Sequence, residues 1–351
     1  MSEVADMESG ESLERLRDLL NKFGSSKVTL IGDTMLDRFH HGFANNLNST
    51  SPVPVLKVIN TEESPGASAH IALGLTSLGI EVDFHCCVGN DPEGKAILDF
   101  LSYQGVDISG VINIDDWRTL TKIRFYGSRE SLLDNSQILL QADRGPSVGP
   151  SEEIVSLISD SAMKSLEDSC ALVISDYDKG VVNNIGASAL IKHSKKLGIP
   201  VIADPKLTGL DKVNGATVAL FEIRGLELLR RRLMMENALE TASKLMEEHD
   251  WNSLVVLGGV NGLTLYESDG STMFMPCKAP NPKQQIGLHD AAATALAAAL
   301  GHDLGIKDAA MLAAAACECI LSATSSREFI DRSTLGLWLD ELSWQLQISE
   351  R

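Results

Sequence analysis

Residues 170–206 read CALVISDYDKGVVNNIGASALIKHSKKLGIPVIADPK, and the fold turns on how this stretch is parsed. Two apolar runs, CALVIS and IPVIA, are each followed directly by an aspartate and flank IGASALIKHSKKLG, whose apolar spacing is helical. Strand, helix and strand in that order make a parallel unit, and unbroken apolar runs predict strands covered on both faces. Working outward, KVTLIGD from Lys27 reads as a further buried strand, GASAHIALGLTSLG as a helix of small residues, EVDFHCCVGND as a strand and EGKAILDFLSYQG as a helix. On the other side come ATVALFE, a helical zone from Leu226 to about Glu248, two strands around a glycine turn in WNSLVVLGGVNGLTLYES, and three closing helices. The pattern predicts an α/β fold, a mostly parallel central sheet between two helical layers, with ligands outside the carboxyl ends of its strands.

Two stretches break this rhythm. HHGFANNLNSTSPVPVLKVINTEES and WRTLTKIRFYGSRESLLDNSQILLQADRG carry prolines, polar turns and short alternating runs, which predict a small, antiparallel β lid built from about residues 38–60 and 116–143. The expected organisation is a helical extension over residues 1–24, one large domain over 25–338 that carries the lid, and a tail over 339–351. There is no internal repeat and no long low-complexity linker.

Composition narrows the function. With 48 Asp plus Glu against 30 Lys plus Arg, the formal charge is −18, which disfavours extended contact with nucleic-acid backbones or anionic membranes. Aromatic residues make up only 5 %, so no stacking platform for bases is indicated. A small anion held by a few local donors stays compatible with that charge. The acidic start MSEVADMESGESLERL lacks the basic flank and apolar run of a signal peptide, and the apolar runs are too short to span a bilayer, so a cytoplasmic location is the expectation. Cys86, Cys87, Cys170, Cys277, Cys317 and Cys319 have no zinc-like spacing and read as buried thiols. His40, His41 and His85 lack metal spacing too.

Carboxylates gather where strands are expected to end: Asp33 and Asp37 in GDTMLD, Asp91 in GNDPEG, Asp176 and Asp178 in SDYDKG, Asp204 in ADPK. Taken singly each reads as a turn or capping residue; together they offer acceptors to a polyol. Near the C-terminus, QIGLHDAAATALAAAL places Gly287, Leu288, His289 and Asp290 where an irregular segment becomes an alanine-rich helix. The first N–H groups of a helix have no partner within it, so this junction can hold an anion with a carboxylate at its edge.

The ordered set VTLIGDTMLDRF, SPVPVLKV, SPGASAHIALGLTSLG, VGNDPEG, TLTKIR, SDYDKG, IADPK and GLHD, spread over about residues 25–335, resembles the ribokinase-like (PfkB-type) carbohydrate kinases, most closely the heptose-7-phosphate kinase domain of ADP-heptose synthesis. The resemblance implies a three-layer α/β/α domain with a β lid, a homodimer formed through the lid, and ATP-dependent phosphotransfer with Mg2+ to a sugar or sugar phosphate. It assigns Asp290 as the base that takes the acceptor proton and Gly287, Leu288 and His289 as the anion hole. On the sugar side it implies Asp33, Asp37, Gly66, Ala67, His70, Lys122 and Asp176; on the nucleotide side Asp204, Lys206, Glu222, Gly259 and Gly262, with Glu222 the residue left to meet the metal. Lys122 equally fits a solvated strand face, and the Gly258–Gly262 stretch equally fits a plain hairpin turn.

The sequence also departs from the family pattern. His289 stands at the second glycine of a GAGD motif; Ile286 replaces a Thr and Gln284 an acidic residue before it. Glu222 and Gly225 replace the Asn and Glu of a TPNxxE motif, and Asn46 replaces an Arg. His289 supplies a donor, fills the phosphate position, or packs on the next turn. Two functions follow from these departures: a sugar kinase with Asp290 as base, or a kinase-like protein of weak or absent activity that binds a sugar or a partner protein.

Overall fold

The computed structural model describes residues 2–24, 26–128, 137–279, 285–323 and 328–349; Gln284 lies outside them. In chain order the elements are α1 (Ser2–Lys22), β1 (Lys27–Gly32), β2 (Thr34–Leu47), β3 (Pro54–Ala67), α2 (Ser68–Ser77), β4 (Glu81–Gly89), α3 (Pro92–Tyr103), β5 (Val111–Ile114), β6 (Thr121–Ser128) and β7 (Gln137–Arg144). There follow α4 (Glu152–Ser165), β8 (Ala171–Ser175), α5 (Asn184–Leu197), β9 (Val201–Asp204), β10 (Val218–Glu222), α6 (Ile223–Arg232), α7 (Ala238–His249), β11 (Ser253–Leu257), β12 (Leu263–Glu267), β13 (Thr272–Met275), α8 (Leu288–Leu300), α9 (Ile306–Ser322) and α10 (Arg332–Ser349).

The β8–α5–β9 unit forms as its sequence dictates. The Asn183 side chain accepts the Gly186 N–H at the start of α5, and Gly198, at φ 73°, ends the helix in the left-handed conformation that glycine tolerates best. Nine strands line up as β13-β12-β11-β10-β9-β8-β1-β4-β5, parallel from β11 to β5, with β12 and β13 antiparallel at one edge. Both faces are buried, so alternate residues of one strand enter different cores. Val255 of β11 joins the cluster under α2, α8 and α9, whereas Leu254 and Val256 join the cluster under α4, α5 and α7. That two-sided burial is why these strands read as continuous apolar runs.

The helical zone after β10 is two helices. Met234 adopts φ 55° between them, and the Asn237 side chain caps α7 by accepting the Glu240 N–H. The α1 helix buries Leu13, Leu16, Leu19 and Leu20 against the body, and Arg15 makes two hydrogen bonds to Asp308 of α9, at 2.7 and 2.9 Å.

The second sheet has order β3-β2-β6-β7. Its outer pairs are antiparallel, but β2 and β6 run parallel, so the sheet is mixed where the turn pattern predicts an antiparallel one. The physical reason is that β2 and β6 come from separate excursions of the chain and share no hairpin. One residue, Asp33, separates β1 from β2, and β3 runs straight into α2 through Ala67 at φ 55°. The lid therefore rises directly from the carboxyl end of the central strands.

Candidate functional site

A cleft opens where β1, β8, β9 and β10 end, roofed by the second sheet and faced by the N-terminus of α8. It has two halves that share Tyr177 and Lys206. The lid half, about 530 Å3, is lined by Lys122, Arg144, Lys179 and Lys206 against Asp143 and Asp178. The α8 half, about 490 Å3, is lined by Arg124, Arg224, Asp204, Glu222 and the Gln285–Asp290 stretch among others.

Asp37, on β2, receives Arg124 Nη1 at 2.6 Å. Burial raises its pKa and the Arg124 charge only partly offsets that. Gly66 is what lets it sit there, since a Cβ at residue 66 would stand 2.1 Å from Asp37 Oδ2. Ala67 contributes the left-handed bend into α2 and no ligand-facing group is needed to explain it.

Asp33 and Asp176 are both engaged within the protein. Asp33 is buried, and its two oxygens accept the backbone N–H groups of Tyr177, Lys179 and Val181 at 2.9, 3.0 and 3.0 Å. It ties the loop after β8 to the end of β1, leaving little acceptor capacity for a ligand. Asp176, also buried, accepts the Asp178 N–H and pairs with Lys212 at 2.8 Å.

Asp290 lies in the first turn of α8, almost fully buried. The Tyr177 hydroxyl donates to its Oδ1 at 3.3 Å, and His70 Nδ1 stands 3.3 Å from its Oδ2. Burial, with the Asp290 charge next, pushes the Tyr177 phenol well up, which keeps it a donor. His70 Nε2 meets the Glu328 carbonyl at 3.2 Å, an acceptor, so both ring nitrogens face acceptors. Burial works against the imidazolium, yet the hydrogen bond and charge of Asp290 outweigh it and the His70 pKa is raised.

His289, the next residue back, turns away from Asp290. Its Nδ1 bonds Asp204 Oδ1 at 2.8 Å, and its Nε2 stands 3.7 Å from Glu222 Oε1. Burial again opposes the charged ring, but the Asp204 charge and hydrogen bond win, and the pKa is raised. The imidazole therefore spans the carboxyl ends of β9 and β10 in front of α8. Asp204 is thus hydrogen-bonded to the ring, and Glu222 stands beside its other nitrogen. Gly225, in the first turn of α6, packs toward Leu207 and supplies no carboxylate. Mg2+ requires oxygen ligands; with His289 hydrogen-bonded to Asp204 and its ring placed beside Glu222, and with no cluster of three His, Cys, Asp or Glu able to hold a metal among the described residues, the residues present do not fit one.

Lys206 places its ammonium 4.2 Å from the Tyr177 ring centroid, a cation–π contact in the shared wall of the cleft. Lys122 lines the lid half. Gly259 and Gly262 both have positive φ, and a Cβ on Gly262 would stand 2.1 Å from the Met275 carbonyl oxygen, so that glycine is required by the turn itself. Between this turn, Leu288 and Cys317 only about 10 Å3 remains. The Cys317 thiol donates to the Leu288 backbone carbonyl at 3.7 Å, which holds α9 against the start of α8 there.

Sequence reading missed Arg124 and Tyr177 as site residues. Arg124 follows Lys122 at the two-residue spacing that puts both on one face of a strand, a signal present in TKIRF. Tyr177 stands inside the quoted SDYDKG, but its reach to Asp290 spans 113 positions.

The model of the family described as pfkB family carbohydrate kinase matches residues 25–332. The bifunctional protein HldE of Shewanella piezotolerans is 30 % identical over 301 residues, covering 85 % of this chain and 60 % of that protein. The chain thus spans about three fifths of the length of such relatives. Among solved structures, phosphofructokinase-2 from Escherichia coli in complex with potassium superposes with a TM-score of 0.71 at 15 % identity, covering 91 % of this chain and 99 % of that one. Arabidopsis thaliana ribokinase complexed with ribose and ATP gives 0.68 at 16 %, covering 90 % and 99 %. At these identities the two structures speak to the fold alone. No helix among the described residues is long and apolar enough to cross a membrane.

Proposed function

The chain belongs to the pfkB family of carbohydrate kinases, and from that premise we propose that it binds a phosphorylated sugar beneath its β lid while its use of magnesium ATP is weak or absent. The observation that carries this reading is His289, whose Nδ1 is hydrogen-bonded to Asp204 at 2.8 Å and whose Nε2 stands 3.7 Å from Glu222 Oε1, which puts the ring in front of the α8 N-terminus. The small space left between Leu288, Cys317 and the Gly258–Gly262 turn, where the family resemblance puts adenosine, points the same way. Against this, the lid half concentrates Lys122, Arg144, Lys179 and Lys206 on a chain of formal charge −18, which favours an anionic ligand locally. Hydroxyls of the same ligand would meet Asp37, Asp290 and the Tyr177 hydroxyl. Heptose 7-phosphate is the first ligand to try, since it is the substrate the sequence resemblance implies.

A second reading, ATP-dependent phosphotransfer, is favoured by the position of Asp290. Its carboxylate stands at the head of α8, and the Leu288, His289 and Asp290 N–H groups belong to a helix end with no side-chain cap. In that reading Asp290 takes the proton of the acceptor hydroxyl and the helix end stabilises the charge on the transferred group. The bound metal and ATP would supply the phosphoryl group and neutralise its charge, which requires His289 to leave its two carboxylates. Calorimetric titration separates the two readings. Sugar phosphate binding without magnesium ATP binding is the expected result; tight magnesium ATP binding with turnover overturns it in favour of the second.

The lid also fits a homodimer. All eight residues of β7 are exposed, Ile138, Leu139 and Leu140 among them, and Val55, Val58 and Ile59 of β3 are exposed as well. An apolar sheet edge of this kind is a pairing surface. Light scattering should report a dimer, and a monomer at high concentration would refute the interface.

A further inference from the structure

The first turn of α3 carries a carboxylate that reaches both the lid and the cleft. Glu93 is 8 % exposed. Its Oε1 stands 3.3 Å from Arg38 Nη2 of β2 and 2.5 Å from Arg144 Nη2 at the end of β7. Arg38 is itself fixed, since its Nε donates to Glu63 Oε1 at 2.6 Å across the β2–β3 pair. Asp91, the N-cap of α3, accepts the Gly94 N–H at 2.8 Å together with the N–H and the hydroxyl of Thr119 at 2.9 and 2.7 Å, which ties the helix start to the segment entering β6. Glu93 therefore stands on a fixed post. Arg144 is less confined: its side chain is 40 % exposed, it lines the lid half of the cleft, and Glu93 is its only ion-pair partner among the described residues.

We propose that Arg144 binds the phosphate group of the ligand and that Glu93 is its positioning residue, holding the guanidinium at the cleft wall before the ligand arrives. The inference rests on the phosphorylated sugar reading of the cleft and goes further by naming the side chain that gives this phosphate directed donors. Lys122, Lys179 and Lys206 supply attraction over distance, but an ammonium is a point charge on a flexible stem. A guanidinium presents its N–H donors in a planar fork. With Nη2 on Glu93, Nε and Nη1 remain for phosphate oxygens, a geometry in which two parallel hydrogen bonds form at once. A free arginine loses much side-chain freedom when a ligand fixes it. A tether that fixes it beforehand removes part of that cost, and Glu93, held by Arg38 and by the capped start of α3, is rigid enough to be one.

The test is calorimetric titration of heptose 7-phosphate into the full chain and into Glu93→Gln, Arg144→Ala, Arg144→Lys and the double variant of Glu93→Gln with Arg144→Ala. Glu93→Gln keeps the size and one accepting oxygen, so it should fold; the Arg144 variants leave Glu93 paired with Arg38 and test the fork without touching the helix. Arg144→Ala should weaken binding about tenfold, Arg144→Lys at least about fivefold, and Glu93→Gln about three- to tenfold. The double variant should bind no more weakly than Arg144→Ala alone, because Glu93 acts through Arg144; a merely structural role would give losses that multiply. Losses that multiply, binding by Arg144→Lys as tight as the parent's, or tighter binding by Glu93→Gln each overturn the proposal, the last because Glu93 would then compete with the ligand. A parent that does not bind heptose 7-phosphate defeats the phosphorylated sugar reading together with this inference, whereas a parent that binds it and shows any of those three results defeats this inference alone.

Discussion

The two halves of the cleft share a wall but differ in how their polar groups are spent. In the lid half, lysines and an arginine line an open space, with Asp143 and Asp178 as the only facing carboxylates among the described residues. In the α8 half, Asp204 is already bonded to His289, Glu222 stands 3.7 Å from the same ring, and the space beside Leu288 is nearly closed. The difference teaches that one half of a cleft can keep its polar groups open to a ligand while the other half has them satisfied within the protein. A polar group that has found a partner within the protein must be separated from it before it serves a ligand, and that separation is subtracted from the affinity.

The largest expected effect is at the joint of lid and body. Arg124→Ala leaves Asp37 buried without its cation and should cost roughly 3 kcal/mol in chemical denaturation; a loss below about 1 kcal/mol would mean that Asp37 is neutral and the pair contributes little. Next, Asp33→Asn replaces one of two accepting oxygens with a donor facing backbone N–H groups, and should cost about 2 kcal/mol without changing which ligands bind. A selective loss of sugar phosphate affinity at unchanged stability would return Asp33 to the ligand site. Lys122→Ala should weaken sugar phosphate binding about tenfold by calorimetry and leave magnesium ATP binding as it was, which sharpens the contrast between halves; equal losses for both ligands would break it.

The smallest effect is in pH dependence. The folded pKa values of His70 and His289 are raised above the ordinary value near 6.5. Stability from each pair is therefore fully present below the unfolded value and is lost as pH rises through the raised folded one. The parent should exceed His289→Gln in Tm by more at about pH 6 than at about pH 9. A gap that widens with pH would show that the ring is held neutral.

Much of the fold was legible because both faces of the sheet are buried, and runs such as CALVIS and SLVVL carry that burial in their composition. The parallel pairing of β2 with β6 was not legible, since it joins segments about eighty positions apart with no turn between them to signal it. In the site, Asp290 and His289 stood out from their place at a helix start. The backbone partners of Asp33 and the Lys212 partner of Asp176 were not legible, because a carboxylate after an apolar run looks the same whether it meets a ligand or a distant loop. The three N–H groups that occupy Asp33 come from residues 144 to 148 positions away.

Magnesium tripolyphosphate carries the phosphates of the nucleotide without a base to place, so its affinity for the parent and for His289→Gly, measured side by side from mildly acidic to mildly alkaline pH, tests the role of His289 most directly. If the ring blocks the head of α8 by holding Asp204 and Glu222, the variant should bind at least about tenfold more tightly at every pH. Weaker binding by the variant, most of all in mild acid, would contradict this and make the imidazolium a phosphate donor.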